Sequence, residues 1–486
     1  MMVFRTEGEQ PSLFESMLPE QVLTLPDELA RVDRLLDDPV FFAPYERFFH
    51  EKIGRPSTPI EVYLRLMFLK FRYGMGYESL CREVSDSIHW RRFCRIPLES
   101  AVPHPTTLMK LTTRCGPQAV AQLNDALLEK ATEQKLLRTS MVRADTTVVP
   151  ANVSYPTDSG LLAKAIRRIT STGRRIHAAG GATATTVRDR SRAAGTRAHA
   201  IAAKLRSRSA LGRDEKLAAV QASTGQLADL AEVAVDDAQR LLTNATRSLQ
   251  RARARAKQQR ERGLRDPAAG RRRGRLARAV ADLEELLEAT TAIVAQTRTR
   301  LSGDTPDGAT RRVSLHDPDA RPIAKGRLGK PVEFGHKAQL AEGDDGVVVD
   351  YTLERGNPAD APQLAPAVAR VTARSGRAPR VVTADRGYGE AKVDAALHDL
   401  GVQRVVIPRK GQPGTARRAA EHSRAFRKTV KWRTGVEGRI STLKRGYGWD
   451  RTRIDTTAGA QTWVGHGILA HNLVKISTLA AQAEAA

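Results

Sequence analysis

A chain of 486 residues is longer than one hydrophobic core usually supports, so two or three domains are expected, and a hydrophobic content of 41% suffices to fill them. Lys and Arg outnumber Asp and Glu by 79 to 54, and a formal charge of +25 calls for a polyanion, with nucleic acid the first candidate. Three cysteines, Cys81, Cys94 and Cys115, lack CxxC spacing, which argues against a zinc site or a disulfide framework and suits a reducing cytoplasm.

The first residues, MMVFRTEGEQPSLFE, lack the basic-then-apolar pattern of a secretory signal. Residues 27 to 135 place apolar side chains at three- and four-residue spacing, as in PIEVYLRLMFLKFRYGMGYESLCREV, and carry no strand signal. A helical N-terminal domain over 1–136 follows. Within it, GMGYESLCREVSDSIHWRRFCRIP predicts short helices around a tight turn, with Trp90, Arg91 and Arg92 near a helix end. That is the pattern of a helix-turn-helix-like DNA reader, and equally of a plain bundle packed on the next domain. SMVRADTTVVP, residues 140–150, is short and β-branched and predicts a strand holding Asp145, within a first core segment at 137–160.

Residues 161–310 return to helix, rich in Ala, Arg and Leu. Leu217, Val220, Thr224, Leu227, Ala231, Ala234, Ala238 and Leu241 alternate spacings of three and four, as do Leu276, Val280, Leu283, Leu287, Thr290, Val294, Thr297 and Leu301. Gly263, Asp266, Pro267 and Gly270 separate the two runs, so an inserted, basic, antiparallel coiled-coil hairpin is expected, with no chemistry of its own. Over 311–486 the remaining core resumes. EFGHKAQLAE and GVVVDYTLERG predict a β-hairpin, ADAPQLAPAVARVTARS a helix, APRVVTAD a buried strand ending at Asp385, VDAALHDLG a helix and VQRVVIPRKG a strand. SRAFRKTVKWRTGVEGRISTLKRG then predicts one long basic helix carrying Glu437. Trp463 to Leu479 is apolar but holds His466, His471 and Asn472, too short and polar for a bilayer span, and reads as a buried helix. The element order, apart from the insert, is that of an α/β sheet of about five strands, as in an RNase H-like core.

Three carboxylates stand at the places where such a sheet presents ligands: Asp145 in one strand, Asp385 at the C-terminal end of another, and Glu437 on the last basic helix. Hard cations such as Mg²⁺ prefer oxygen ligands, and two of them about 3.5–4 Å apart drive in-line phosphoryl transfer. At about 100° per residue, Arg433, Glu437 and Lys444 fall within roughly 40° of one helix face, beside an apolar stripe of Val436, Ile440 and Leu443. One acid and two bases therefore aim at one place, with Arg433 suited to bidentate phosphate contact. Each acid also has an ordinary reading: a bulge cap for Asp145, a turn start for Asp385, an i,i+4 surface pair for Glu437. Arg386 is a candidate phosphate contact beside Asp385, and Arg439 and Arg445 add to the DNA-facing charge of the last helix. His336 and Lys337 on the hairpin are weaker candidates, while Trp432 and Trp449 fit core packing better than base stacking.

At these residues the sequence resembles the insertion-sequence DDE transposases of bacteria. It is similar to the group whose last motif reads tyrosine, arginine, glutamate, lysine with two, three and six intervening residues: Arg433, Glu437 and Lys444 keep the last two intervals, and Val430 stands where the tyrosine is expected. ADTTVVPANVSYPTDSGLL, TADRGYG, FFHEKIGRPSTPIEVYLRLMFLKFRYGMGYESL and GHGILAHNLVKI carry the rest of the resemblance, which covers nearly the whole chain outside the basic insert. It implies an RNase H-like fold, two Mg²⁺ or Mn²⁺ ions at Asp145, Asp385 and Glu437, nicking at terminal inverted repeats, and strand transfer into target DNA by the freed 3′-hydroxyl. It also implies a homodimer in a synaptic complex, in the cytoplasm and on the nucleoid when bound. Two competing readings are a nuclease of the same fold without strand transfer, and a non-enzymatic basic DNA-binding protein.

Overall fold

The computed structural model describes residues 3, 17–50, 53, 54, 56–207, 212–327 and 330–486, with only the backbone of 213, 326, 327 and 330. The opening MMVFRTEGEQPSLFE, Val3 apart, lies outside the described residues. The chain divides into two compact units, Met1–Asn152 with Gly335–Ala486, and Val153–Phe334. The second is wider at both ends than the 161–310 segment marked by its heptads.

In the first unit, helices α1 (Asp27–Leu36), α2 (Ile60–Arg72), α3 (Tyr77–Asp86), α4 (Ile88–Phe93) and α5 (Pro105–Glu133) precede strand β1 (Met141–Pro150). Every residue of α2 from Ile60 to Phe71 is buried, as expected of a helix apolar on nearly all sides. Its Arg65 is fully enclosed and compensated by Asp33 at 2.9 Å. α5 kinks where Gly116 takes φ 62° ahead of Pro117, which lacks the N–H a straight helix needs. Ser87 alone separates α3 from α4, and α4 has only six residues. Arg91 donates to the carbonyls of Ser85, Pro97 and Ser100, and Trp90 lies 5.1 Å from Tyr73, so this corner uses those side chains to hold itself together. All three cysteines are buried and free.

The second unit holds α6 (Asp158–Ala178), α7 (Ser191–Arg206), α8 (Arg213–Glu261), α9 (Pro267–Leu301) and a short strand β2 (Arg321–Arg327). Leu227, Ala231, Ala234, Ala238 and Leu241 of α8 and Leu276, Val280, Leu283, Leu287 and Val294 of α9 are buried, so both heptad runs form packing seams. The hairpin does not stand alone: Leu162, Ile166 and Ile169 of α6 and Ile201 of α7 join the same core. Asp266 caps α9 by accepting the N–H groups of Ala268 and Ala269, both at 2.9 Å.

β3 (Lys330–Glu342), which belongs to the first unit from Gly335 on, and β4 (Val348–Arg355) form the expected hairpin, followed by α10 (Ala361–Ser375), β5 (Val381–Thr383), α11 (Ala391–Asp399) and β6 (Arg404–Val406). The strands lie in the order β4-β3-β1-β5-β6. β1 and β4 run antiparallel to β3, while β1, β5 and β6 are parallel. One face packs Val142, Ala144, Val382 and Ala384 against Leu364 and Val368 of α10 and Leu397 of α11. The other packs Val149 and Leu340 into a core shared with α2, α5 and the C-terminal helices.

The long basic helix expected over 423–446 is two helices, α13 (Arg424–Arg433) and α14 (Gly435–Gly446), after a short α12 (Thr415–His422). α15 (Thr456–Glu484) is buried through Trp463–Asn472. Its Asn472 clamps β4 by accepting the N–H of Val348 at 3.1 Å and donating to that residue's carbonyl at 2.8 Å. Among the described residues no helix is long and apolar enough to cross a membrane.

Candidate active site

Sheet register brings the first two acids together. β1 and β5 pair in parallel at Met141 with Val381, Val142 with Val382 and Arg143 with Thr383. Asp145 and Asp385 each lie two residues past that last pair. Because side chains alternate with period two, both point to one face of neighbouring strands about 4.8 Å apart. Asp145 accepts the N–H of Thr146 and Asp385 that of Gly387, both at 2.8 Å, which orients one carboxylate within β1 and the other just past the end of β5.

The third acid is placed by a buried charge network. Glu342 of β3 is fully buried and accepts from Nε of Arg143 at 3.1 Å and Nε of Arg439 at 2.9 Å, tying β1, β3 and α14 together. Two enclosed guanidiniums around one carboxylate make the burial tolerable, since an unpaired charge there would be costly. Arg143 also crosses the ring of Trp432 at 4.6 Å and donates Nη1 to the Trp432 carbonyl at 2.7 Å. A side chain that takes a helix carbonyl interrupts the ladder, and the chain turns tightly there, with Thr434 N–H to the Lys431 carbonyl and Glu437 N–H to the Thr434 carbonyl. A Cβ at position 435 would stand 2.1 Å from Arg143 Nη1, so any larger residue there has to displace that guanidinium.

Arg433, at the break, joins the acids. Its Nη1 lies 3.2 Å from Asp145 Oδ2 and its Nη2 3.4 Å from Glu437 Oε1. Burial pushes the Asp145 carboxyl up to about 6, the Asp385 and Glu437 carboxylates push it the same way, and the Thr146 N–H and Arg433 oppose them. The three acids thus share one electrostatic neighbourhood. They do not form a closed cage: among the described residues no three His, Cys, Asp or Glu side chains are gathered tightly enough to hold a metal ion. The three side chains are all carboxylates, the oxygen donors that a hard divalent cation prefers.

The other expected residues separate into two groups. Lys444 is half-buried and Arg445 exposed near the end of α14, and Arg386 is exposed while its Nε donates to the Arg409 carbonyl at 3.1 Å. Arg439, 15% exposed, faces Glu342 rather than solvent, so its charge serves the interior. His336 is fully buried in β3, and Trp449 is enclosed with its indole N–H on the Val464 carbonyl at 3.2 Å. Lys337 pairs with Asp360 at 2.6 Å.

Four residues beside the acids escape sequence reasoning. Asp360 precedes α10 and looks like a helix cap, yet its side chain caps nothing. Its carboxylate lies instead at Gly387, next to that of Asp385. Tyr388 is buried, and burial followed by the Asp360, Asp145 and Asp385 carboxylates raises its phenol well above the ordinary range, keeping it a hydrogen-bond donor. The TADRGYG segment contains it, without a spacing that points inward. Arg143 and Glu342 read as ordinary strand charges until the register sets them opposite each other.

Residues 17–114 match the family model described as Transposase domain (DUF772), and residues 307–473 match that described as Transposase DDE domain. The second match contains Asp385 and Glu437, and Asp145 falls between the two. A Transposase DDE domain implies an RNase H-like core, in keeping with the mixed sheet. The uncharacterized protein ORF8 in the nfe locus of Rhizobium meliloti is 28% identical over 137 residues, covering 26% of this chain. The chain spans 66% of the length of that relative. No solved structure matches. With a transposase domain at its N-terminal end and a DDE domain around its last two acids, the chain belongs to the insertion-sequence DDE transposases.

Proposed function

We propose that this protein binds the terminal inverted repeats of its insertion sequence, cleaves the DNA there and joins the freed 3′-hydroxyl to target DNA, with Asp145, Asp385 and Glu437 as its acidic triad. The observation that carries this reading is geometric: the β1–β5 register sets Asp145 beside Asp385, and Arg433 lies 3.2 Å from Asp145 Oδ2 and 3.4 Å from Glu437 Oε1, across sequence separations no local motif explains. Asp145, Asp385 and Glu437 would hold two Mg²⁺ or Mn²⁺ ions, which supply charge stabilisation to the attacking and leaving oxygens of an in-line displacement. Asp145 must give up its proton to act as a ligand, and Arg433 holds its Oδ2 in the ionised orientation. Arg433, Lys444, Arg386 and Arg445 are assigned to DNA phosphates. Arg439 is reassigned from DNA contact to anchoring α14 through Glu342.

Two DNA ends must meet, so a homodimer in a synaptic complex is the expected working form, acting in the cytoplasm on nucleoid DNA. The α8–α9 pair is read as an antiparallel coiled coil on its two heptad seams. The test is cleavage of a terminal-repeat duplex with Mg²⁺. Asp145→Ala, Asp385→Ala and Glu437→Ala are each expected to abolish cleavage while leaving the dissociation constant for the repeat within about threefold. A variant that cleaves at the wild-type rate removes its residue from the triad. Offering a pre-nicked repeat and a target plasmid checks strand transfer, since a nuclease of this fold leaves them unjoined.

A further inference from the structure

The far end of the α8–α9 pair extends past the helix that covers it. α6 stops at Ala178; just beyond, Gly181 lies against Leu276 and Ala182 donates its N–H to Ser248 Oγ at 3.2 Å. From residue 250 on α8 to 275 on α9 nothing is buried. At 1.5 Å per residue the stretch of α8 from 250 to 261 is about 18 Å of helix that contributes to no core.

Its composition is one-sided. Residues 251–278 contain eleven Arg and one Lys against two carboxylates, Glu261 and Asp266, and Asp266 is engaged as the cap of α9. The ion pairs of this unit fall elsewhere, at Arg190–Asp237, Arg298–Asp229 and Arg300–Asp158. A solvated helix kept soluble by charge mixes both signs; a single-sign surface attracts a polyanion.

The arginines are also ordered. At about 100° per residue, Arg251 and Arg255 lie within roughly 40° on α8, with Arg262 as its C-cap, and Arg271, Arg275 and Arg278 lie within roughly 60° on α9. Both stripes continue the faces on which α6 and the turn after it sit lower down: Ser248, one turn before Arg251, meets Ala182 of that turn, and Asp282, one turn after Arg278, pairs with Arg175 of α6 at 2.8 Å. Past the end of α6 that side of the pair is open and lined by guanidinium groups. No Phe, Tyr or Trp occurs between residues 156 and 333 and no His between 251 and 278, so this surface offers backbone contact rather than stacking on unpaired bases.

We propose that this face is a duplex-DNA surface, separate from the acidic triad, where Arg251, Arg255, Arg262, Arg271, Arg275 and Arg278 contact backbone phosphates without reading sequence. It rests on the transposase reading only for the choice of DNA as the polyanion. The experiment uses the full chain in EDTA and a fluorescein-labelled duplex of arbitrary sequence lacking terminal repeats, with anisotropy titrations across a salt series. Changing all six arginines to glutamine is expected to weaken binding about a hundredfold or more and to flatten the slope of log K against log salt by about 5, at roughly 0.9 per phosphate contact. Changing the same six to lysine is expected to keep the wild-type slope. An unchanged slope in the glutamine variant overturns the proposal, as does an equal loss in the lysine variant. A shift in sedimentation at unchanged slope overturns it in favour of an interface between copies. Because cleavage is silenced in EDTA, a wild type that binds through the tip but never cleaves with Mg²⁺ would refute the catalytic reading and leave this one standing.

Discussion

Asp145 carries opposing demands. Burial and two neighbouring carboxylates disfavour its charge, while Arg433 and the Thr146 N–H favour it, and the balance leaves its pKa near 6. A folded-state pKa above the unfolded value means that the acid's contribution to stability is fully present below the unfolded pKa near 4 and is lost as pH rises through 6. Holding Asp145 ionised at pH 8 therefore costs on the order of 1–3 kcal/mol in the absence of divalent cation. Asp145→Asn is expected to melt several degrees higher than wild type in EDTA at pH 8 and at the same temperature near pH 4, by calorimetry. Equal melting at both pH values would show that folding does not raise the Asp145 carboxyl. The strand patterns single out Asp145 and Asp385, whereas the spacing that joins Arg433 to Glu437 assumes one continuous helix, which the break between α13 and α14 removes. The coupling of the acids was not legible, because it depends on a β1–β5 register joining residues 240 positions apart.

At the scale of elements, β-branched runs bounded by turns leave little choice, and SMVRADTTVVP and EFGHKAQLAE both became strands, whereas β2, RPIAKGR, lacks that pattern and was not expected. The break between α13 and α14 was not legible, since TVKWRTGVEGRIS has no proline and reads as continuous helix. Its cause is tertiary: Arg143 takes the Trp432 carbonyl, and Gly435 leaves room for it. This arrangement aims Glu437, because the helix starts anew one turn before it. Gly435→Ala is expected to expel Arg143 or shift α14, lowering Mg²⁺-dependent cleavage at least about tenfold while changing the affinity for repeat DNA less than about threefold. Arg143→Lys, which loses the bond to Trp432 without adding bulk, should fall in the same direction. If Gly435→Ala cleaves normally, the break does not position the glutamate, and Glu437 is set by the Arg439–Glu342 pair alone.

For the whole molecule, the buried positions of α8 from Leu227 on and of α9 are largely those the heptad spacing selects, since heptads are local, whereas Leu217 at the start of α8 is exposed. That α6 and α7 join them was less visible, as their short amphipathic runs name no partner. The cores are disjoint. Leu29, Phe68, Leu123, Leu340, Val436 and Trp463 belong to one cluster of the first unit, while Leu162, Ile169, Leu241 and Leu283 build that of the second. Each unit thus has its own reason to fold cooperatively. Calorimetry of the intact chain is expected to show two transitions. Leu283, fully buried in the seam, should lose about 2–5 kcal/mol on change to alanine, lowering one transition by roughly 5–15 °C and leaving the other in place. Below that lowered transition the variant should still cleave repeat DNA with Mg²⁺, because no residue of the triad lies in the second unit. A single transition that moves as a whole would mean that the two cores melt as one, and the insert would then be a structural prerequisite of the acidic site.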